Sequence, residues 1–268
     1  MKRRLALGGV VLALAACSAP PPETPPAGPD AAGPPAAVDV PSGPEQFVDP
    51  GAGQGTIVGR IHLAGRAPGN RVIRMGLDPA CVEATRDELV IQEEVMTSED
   101  GGLANVFVRL EGRFPETSVP SVPADPVEVE QRGCVYRPRV VGVRVGQTLG
   151  VRNSDDILHN VHSYSAGPNG FNISQPRAGM VHQAQLAEES GMVELKCDLH
   201  RWMIVYVGVV SHPYFDVTGG DGRFRIEHVP AGARTIQIWH ERYGTQSLAV
   251  EVEDGVETTV ELTYGGGD

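Results

Sequence analysis

The sequence predicts an all-β protein in which two β-sandwiches follow a disordered Pro-rich tether. Three observations lead there: apolar residues alternate with polar ones at a two-residue period in many short runs, turn-forming residues are abundant at 33 Gly and 22 Pro, and aromatics are only 5% of the chain. A length of 268 residues leaves room for two small domains with cores of their own. The net charge of −12 argues against nucleic acid as a partner, because phosphate binding needs clustered Lys and Arg. It suits basic protein partners and plain solubility equally well.

Residues 1–17 read as a signal peptide, with Lys2, Arg3 and Arg4 ahead of an apolar run, Leu5 to Ala16, that is too short to span a bilayer. Its end, Leu14-Ala15-Ala16-Cys17, resembles a bacterial lipoprotein lipobox. That resemblance implies lipidation of Cys17 and export across the inner membrane. Ser18, where an Asp would retain the protein at the inner membrane, implies a periplasmic, outer-membrane lipoprotein. The other reading is an ordinary signal peptide cut nearby, with Cys17 left as a thiol. Residues 18–55 hold eleven of the 22 prolines and few large apolar side chains, so they cannot bury enough surface to offset the entropy of ordering and form an extended tether.

Folded sequence begins near Thr56, where Ile57, Gly59, Ile61 and Leu63 alternate with Val58, Arg60 and His62. Alternation recurs at Val106 to Leu110, Val127 and Val129, Val141 to Val145, Leu149 and Val151, and Val193 to Cys197, while Met203 to Val210 reads as a buried strand. The stretch Cys81 to Glu94 is the one helical candidate. These runs divide the chain into an N-terminal β segment (56–125), a central sandwich (126–211) and a C-terminal sandwich (212–265). In the last, D-G-R-F-R-I-E-H-V-P-A-G from Asp221 to Gly232 resembles the carboxypeptidase regulatory-like, transthyretin-related (Ig-like) sandwich, a structural motif that carries no catalysis. Such modules open with a strand like Gly55 to Ile61, here on the far side of the central segment. Two arrangements therefore stand open: one split sandwich, 55–122 with 212–265, interrupted by the central domain, or two consecutive sandwiches.

Cys197-Asp198-Leu199-His200-Arg201-Trp202-Met203 places a thiol, an imidazole and a thioether within seven residues, and soft sulfur with imidazole selects copper. One turn cannot surround an ion, so another His must come from an earlier strand. The segment Asn153 to Asn160 supplies one. Any one of these residues alone would read as core; together they point to metal. The C-x2-H-x2-M loop is similar to that of amicyanin-like members of the cupredoxin family. Asn153 to Asn160, after Gly146 to Val151, resembles the family's N-terminal His segment, and Tyr136-Arg137-Pro138 resembles its F-x-P turn. The resemblance covers about residues 126–211 and implies a Greek-key sandwich with one mononuclear type 1 copper held by His159, Cys197, His200 and Met203. It further implies that Asn160 steadies the thiolate through hydrogen bonds and that His200, near the surface, is the electron exit. Leu199 stands where the family has Pro, and Arg201-Trp202 is bulkier than usual, which bears on potential and partner face.

With Cys197 assigned by that resemblance, Cys81 and Cys134 are left to pair as a disulfide in an oxidising compartment, a staple worth about 2–4 kcal/mol. His162 falls on the opposite strand face from His159, although H-N-V-H is compatible with a second metal. His182 and His212 flank the domain, and His62, His228 and His240 read as structural. The resemblance implies a lipid-anchored electron-transfer protein, not an enzyme, whose partners are redox proteins such as a c-type cytochrome or an oxidoreductase. A copper carrier or buffer at the outer membrane, and a metal-free cell-surface binding module, are the competing functions.

Overall fold

The computed structural model describes residues 53–265 apart from 77, 87 and 116–118. The signal peptide, Cys17 and the tether up to residue 52 lie outside the described residues. Along the chain, β1 (Gln54–Leu63), α1 (Pro79–Ala84) and β2 (Phe107–Leu110) precede β3 (Val127–Gln131), β4 (Tyr136–Arg137), β5 (Val140–Arg144), β6 (Thr148–Asn153), β7 (His159–Ser163), β8 (Asn172–Gln175), β9 (Val181–Gln185), β10 (Gly191–Lys196) and β11 (Ile204–Val210). There follow β12 (Phe215–Val217), β13 (Arg223–Pro230), β14 (Gly232–His240), β15 (Gly244–Val252) and β16 (Glu257–Tyr264). The protein is all-β. Its first strand begins ahead of the expected boundary and takes Gln54 and Gly55 out of the tether.

The helix is shorter than the Cys81 to Glu94 candidate. Asp78 caps it by accepting from the backbone N–H of Ala80 and Cys81, and Pro79 sits at its first position. It ends at Ala84 because the Thr85 hydroxyl turns back to the carbonyls of Cys81 and Val82, and Arg86 adopts a left-handed φ of 53°.

The strands form two sandwiches. One consists of sheets β13-β1-β16 and β12-β2-β14-β15, the other of sheets β5-β11-β10-β7-β8 and β4-β3-β6-β9. Strand β1 is antiparallel to β13, with Ile57 opposite Ile226, and parallel to β16, with Gly59 opposite Val260. Residues from both sides of the central segment therefore share one core, which includes Ile57, Ile61, Val108, Ile226, Ile236 and Tyr264. The central core holds Val129, Val151, Leu195, Val205 and Val207 together with Cys197 and Met203, and it also takes in Met75 and Cys81 from the segment between β1 and β2. That segment thus leaves its own sandwich to pack on the other.

A small third cluster, Phe107, Val140 and Val210 with Phe215 and Trp239 against it, joins the two sandwiches. Gly142 and Gly208, paired across β5 and β11, make the contact possible: a methyl at Gly142 would run into the Phe215 ring and one at Gly208 into Phe107. Nearby, Arg139 grips both carboxylate oxygens of Glu241 at 2.6 Å, and both side chains are buried.

His212 and His240 are buried, and each uses Nδ1 to accept a backbone N–H two residues on, from Tyr214 and Arg242. Burial, with nearby arginines, pushes His212 down to about 3 and His240 down to about 4. Both histidines therefore stay neutral in the fold and would take up a proton in the unfolded chain below its ordinary value of about 6.5. Stability should stand at its full value above about pH 6.5 and fall as the pH drops towards 4, by on the order of 2–3 kcal/mol per histidine. Thermal unfolding followed at neutral pH and at about pH 4.5 checks this; a His212→Phe, His240→Phe protein should lose markedly less on acidification.

Candidate metal centre

Two loops build the site. In the first, buried Asn153 accepts from the Asp155 N–H at 2.9 Å and donates to the Ile157 carbonyl at 2.9 Å, folding residues 153–157 into a turn that delivers His159 at the start of β7. The strand alternation then turns His159 inward and Asn160 and His162 outward. In the second loop, Cys197 N–H donates to the Met203 carbonyl at 3.2 Å and Met203 N–H donates to the His200 carbonyl at 2.8 Å, so the loop closes on itself between β10 and β11. Asn160 ties the loops together: its side-chain oxygen accepts from Asp198 N–H at 2.7 Å, and its backbone N–H lies 3.5 Å from the Cys197 sulfur.

His159, Cys197 and His200 converge in a buried pocket, at 0%, 1% and 3% exposed, and Met203, in the same apolar core as Cys197, is buried as well. His159 Nδ1 and His200 Nδ1 are 3.0 Å apart, Cys197 Sγ is 3.6 Å from His200 Nδ1, and one donor atom from each residue lies within 4.8 Å of the others. A single ion about 2.0–2.3 Å from each atom would span such separations. Among the described residues Cys197 is the free cysteine.

The outer nitrogens decide how the rings present themselves. His159 Nε2 meets Asp155 Oδ2 at 3.1 Å and His200 Nε2 meets Asp78 Oδ2 at 2.9 Å. A carboxylate only accepts, so each Nε2 carries a hydrogen; a neutral ring then turns a bare Nδ1 lone pair to the pocket, and a protonated one donates from Nδ1 to the Cys197 sulfur. Protons on Nδ1 offset the thiolate charge in the metal-free protein, and a cation that takes their place meets both ring lone pairs and the sulfur. The donor set therefore fits a soft cation such as copper.

Both carboxylates are anchored to the Cys81–Cys134 disulfide, whose sulfurs are 2.06 Å apart. Asp78 accepts from the Cys81 N–H at 3.3 Å, and Asp155 accepts from Gly133 and Cys134 N–H at 2.7 and 2.9 Å. The Cys81 sulfur lies 3.5 Å from His200 Nε2. Trp202 completes the cover, its ring centroid 5.3 Å from that of His200 and its Nε1–H donating to the Cys134 carbonyl at 2.8 Å.

The same contacts set the acidities. Burial opposes ionisation of Cys197, but hydrogen bonds from His159, His200 and the Asn160 N–H outweigh it and bring the thiol down to about 6. The bond from His200 holds Asp78 below the usual carboxylate range. For Asp155, burial works upward, yet the bonds from His159, Cys134 and Gly133 leave it low.

His159, Cys197 and His200 are brought together, and Met203 closes their loop. His200 does not sit near the surface as the family resemblance implied, because α1 and Trp202 cover its outer edge. The exposed members of the loop are Asp198, Leu199 and Arg201, with Leu199 at 57%. His162 and Tyr164 instead bind Asp198 on the outer face, His212 lies in the other sandwich against Phe114 and Tyr214, and His182 lies tilted against the Phe171 ring. Sequence reasoning passed over Asp78 and Asp155. Asp78-Pro79 carried a legible helix-start signature, but nothing local linked it to a histidine 122 residues away.

No family model and no curated protein matches the chain. Among solved structures it is similar to a purple cupredoxin from Nitrosopumilus maritimus, at 22% identity over 31% of this chain and 97% of that one, with a TM-score of 0.27. It is also similar to the copper-containing nitrite reductase of Thermus scotoductus SA-01, at 20% identity over 34% of this chain and 24% of that one, with a TM-score of 0.30. A reduced single-site mutant of amicyanin gives 22% identity, 33% and 86% coverage and a TM-score of 0.29.

In the metal-free protein, the ultraviolet absorbance of the Cys197 thiolate should rise with a midpoint near about pH 6. His200→Ala removes one of the two imidazole hydrogen bonds and should move that midpoint upward. A midpoint that stays put would mean that the imidazole does not stabilise the thiolate.

Proposed function

We propose that this chain holds one copper ion between His159, Cys197, His200 and Met203 and passes single electrons to and from other redox proteins. The observation that carries this reading is the convergence of two imidazole Nδ1 atoms and one free thiol in a buried pocket, with each outer nitrogen committed to a carboxylate. Bound copper supplies a one-electron couple. The residues of the chain hold the donors still: Asp155 and Asp78 fix the rings, the Asn160 bonds fix the sulfur loop, and the apolar core excludes water. Donors that cannot move serve both oxidation states with little rearrangement. Four protein donors leave no open position for a substrate, which favours electron transfer over catalysis.

The likeness of Leu14 to Cys17 to a lipobox supports anchoring through a lipidated Cys17 at the outer membrane, on the periplasmic side. A Pro-rich tether gives such an anchor reach. A c-type cytochrome or an oxidoreductase of the same compartment fits as partner.

Adding Cu(II) to the purified chain should produce an intense visible thiolate-to-copper band, absent in Cys197→Ala. A chain that stays colourless and silent in electron paramagnetic resonance after Cu(II) addition would overturn the reading. Under an excess of a Cu(I) chelator an electron-transfer protein should keep its metal through repeated oxidation and reduction; rapid loss would assign the site to copper carriage.

A further inference from the structure

The geometry points to Asp78 as a positioning residue for His200, delivered to the site by a helix that the Cys81–Cys134 disulfide latches in place. The inference rests on the copper reading above. Asp78 belongs to the segment between β1 and β2, outside the sandwich that supplies the four candidate ligands. Three contacts bring that segment onto the ligand loop. Asp78 Oδ2 takes the His200 Nε2–H at 2.9 Å, the Cys81 sulfur lies 3.5 Å from the same nitrogen, and Gln92 donates to the Trp202 carbonyl at 3.2 Å. The disulfide is the covalent one among the links to this segment, and it joins α1 to the turn between β3 and β4.

The chemistry is specific. An imidazole that donates Nε2–H to a carboxylate is a stronger donor at Nδ1 and cannot rotate about its Cβ bond without breaking that bond. His159 has its carboxylate, Asp155, in its own loop, four residues away. His200 has none in the Cys197 to Met203 loop: Asp198 is turned to the outer face, where it accepts from His162, Tyr164 and Asn160. Asp78 fills that place from across the fold, and the cover it brings separates His200 from solvent. Ordering a short segment over a ring at the rim of a sandwich costs backbone entropy, and a covalent link lowers the entropy of the competing open state. The disulfide thus secures the hydrogen bond as well as the fold.

Two full-chain variants separate this role from helix capping. Asp78→Ser keeps a side-chain oxygen to cap α1 but is too short to reach His200, whereas Asp78→Asn, with one oxygen for the two tasks that Oδ1 and Oδ2 divide, can take the Nε2–H only by giving up the cap. Copper loss from the Cu(II)-loaded protein to a chelator should speed up about 10- to 100-fold in Asp78→Ser, with a shifted visible band, and Asp78→Asn should recover much of both. A Cys81→Ser, Cys134→Ser protein, shown by circular dichroism to keep its strands, should lose copper faster than wild type although Asp78 is intact; if it does not fold, Asp78→Ser and Asp78→Asn decide alone. Wild-type release and spectrum in Asp78→Ser would overturn the inference, and so would wild-type release from a folded double-serine protein. Neither result would touch the copper reading, which fails only if the wild-type chain itself gives no thiolate-dependent band.

Discussion

The Cys81–Cys134 disulfide is the constraint on which the architecture around the site depends. It ties a segment that belongs by chain position to one sandwich onto the other sandwich, across 53 residues of sequence. Each half-cystine offers its backbone N–H to a carboxylate, and each carboxylate holds the outer nitrogen of one histidine. The disulfide, the two aspartates and the two imidazoles form one connected unit in which no ring can turn alone. A buried free thiol beside two imidazoles needs such rigidity, since burial by itself disfavours the thiolate and only donors held at hydrogen-bond distance reverse the balance.

Rigidity at the next scale comes from the way the two sandwiches are joined. Strand β1 pairs with β13 and β16, which follow the central sandwich in sequence, so that sandwich leaves and re-enters a sheet system that is already closed. The paired glycines at 142 and 208 let two phenylalanines lie flat on the strand backbone, and the buried Arg139–Glu241 pair adds a directional contact beside them. A single flexible linker would let the N-terminal segment drift from the ligand loop. Two chain crossings, an apolar contact, an ion pair and a disulfide hold it there.

Much of the candidate site was legible because its possible donors are close in sequence. Cys197, His200 and Met203 lie within one turn, and His159 stands beside an Asn in a recognisable segment, so residue softness and spacing together singled them out. The inward face of His159 follows from strand alternation, as does the outward face of His162. What surrounds the candidate ligands was not legible. Asp155 stood in the quoted segment, but its role depends on a turn that Asn153 shapes and on the backbone of Gly133 and Cys134. The expected exposure of His200 reflected the family pattern, and the α1 cover reverses it.

The pairing of Cys81 with Cys134 came from the family resemblance that assigned Cys197, but the local facts stand in the chain itself: short alternating strands, Gly and Pro turns, and a loop of candidate donors. These follow from side-chain periodicity and donor chemistry, which act over a few residues. Folding settles where the N-terminal strand pairs, that the segment after it packs on the Cys197 to Met203 loop, and that Asp78 reaches His200. Such contacts join positions more than a hundred residues apart, and their energies come from burial and hydrogen bonds formed only when both partners are folded. No periodicity records them, so they become visible only in the folded chain.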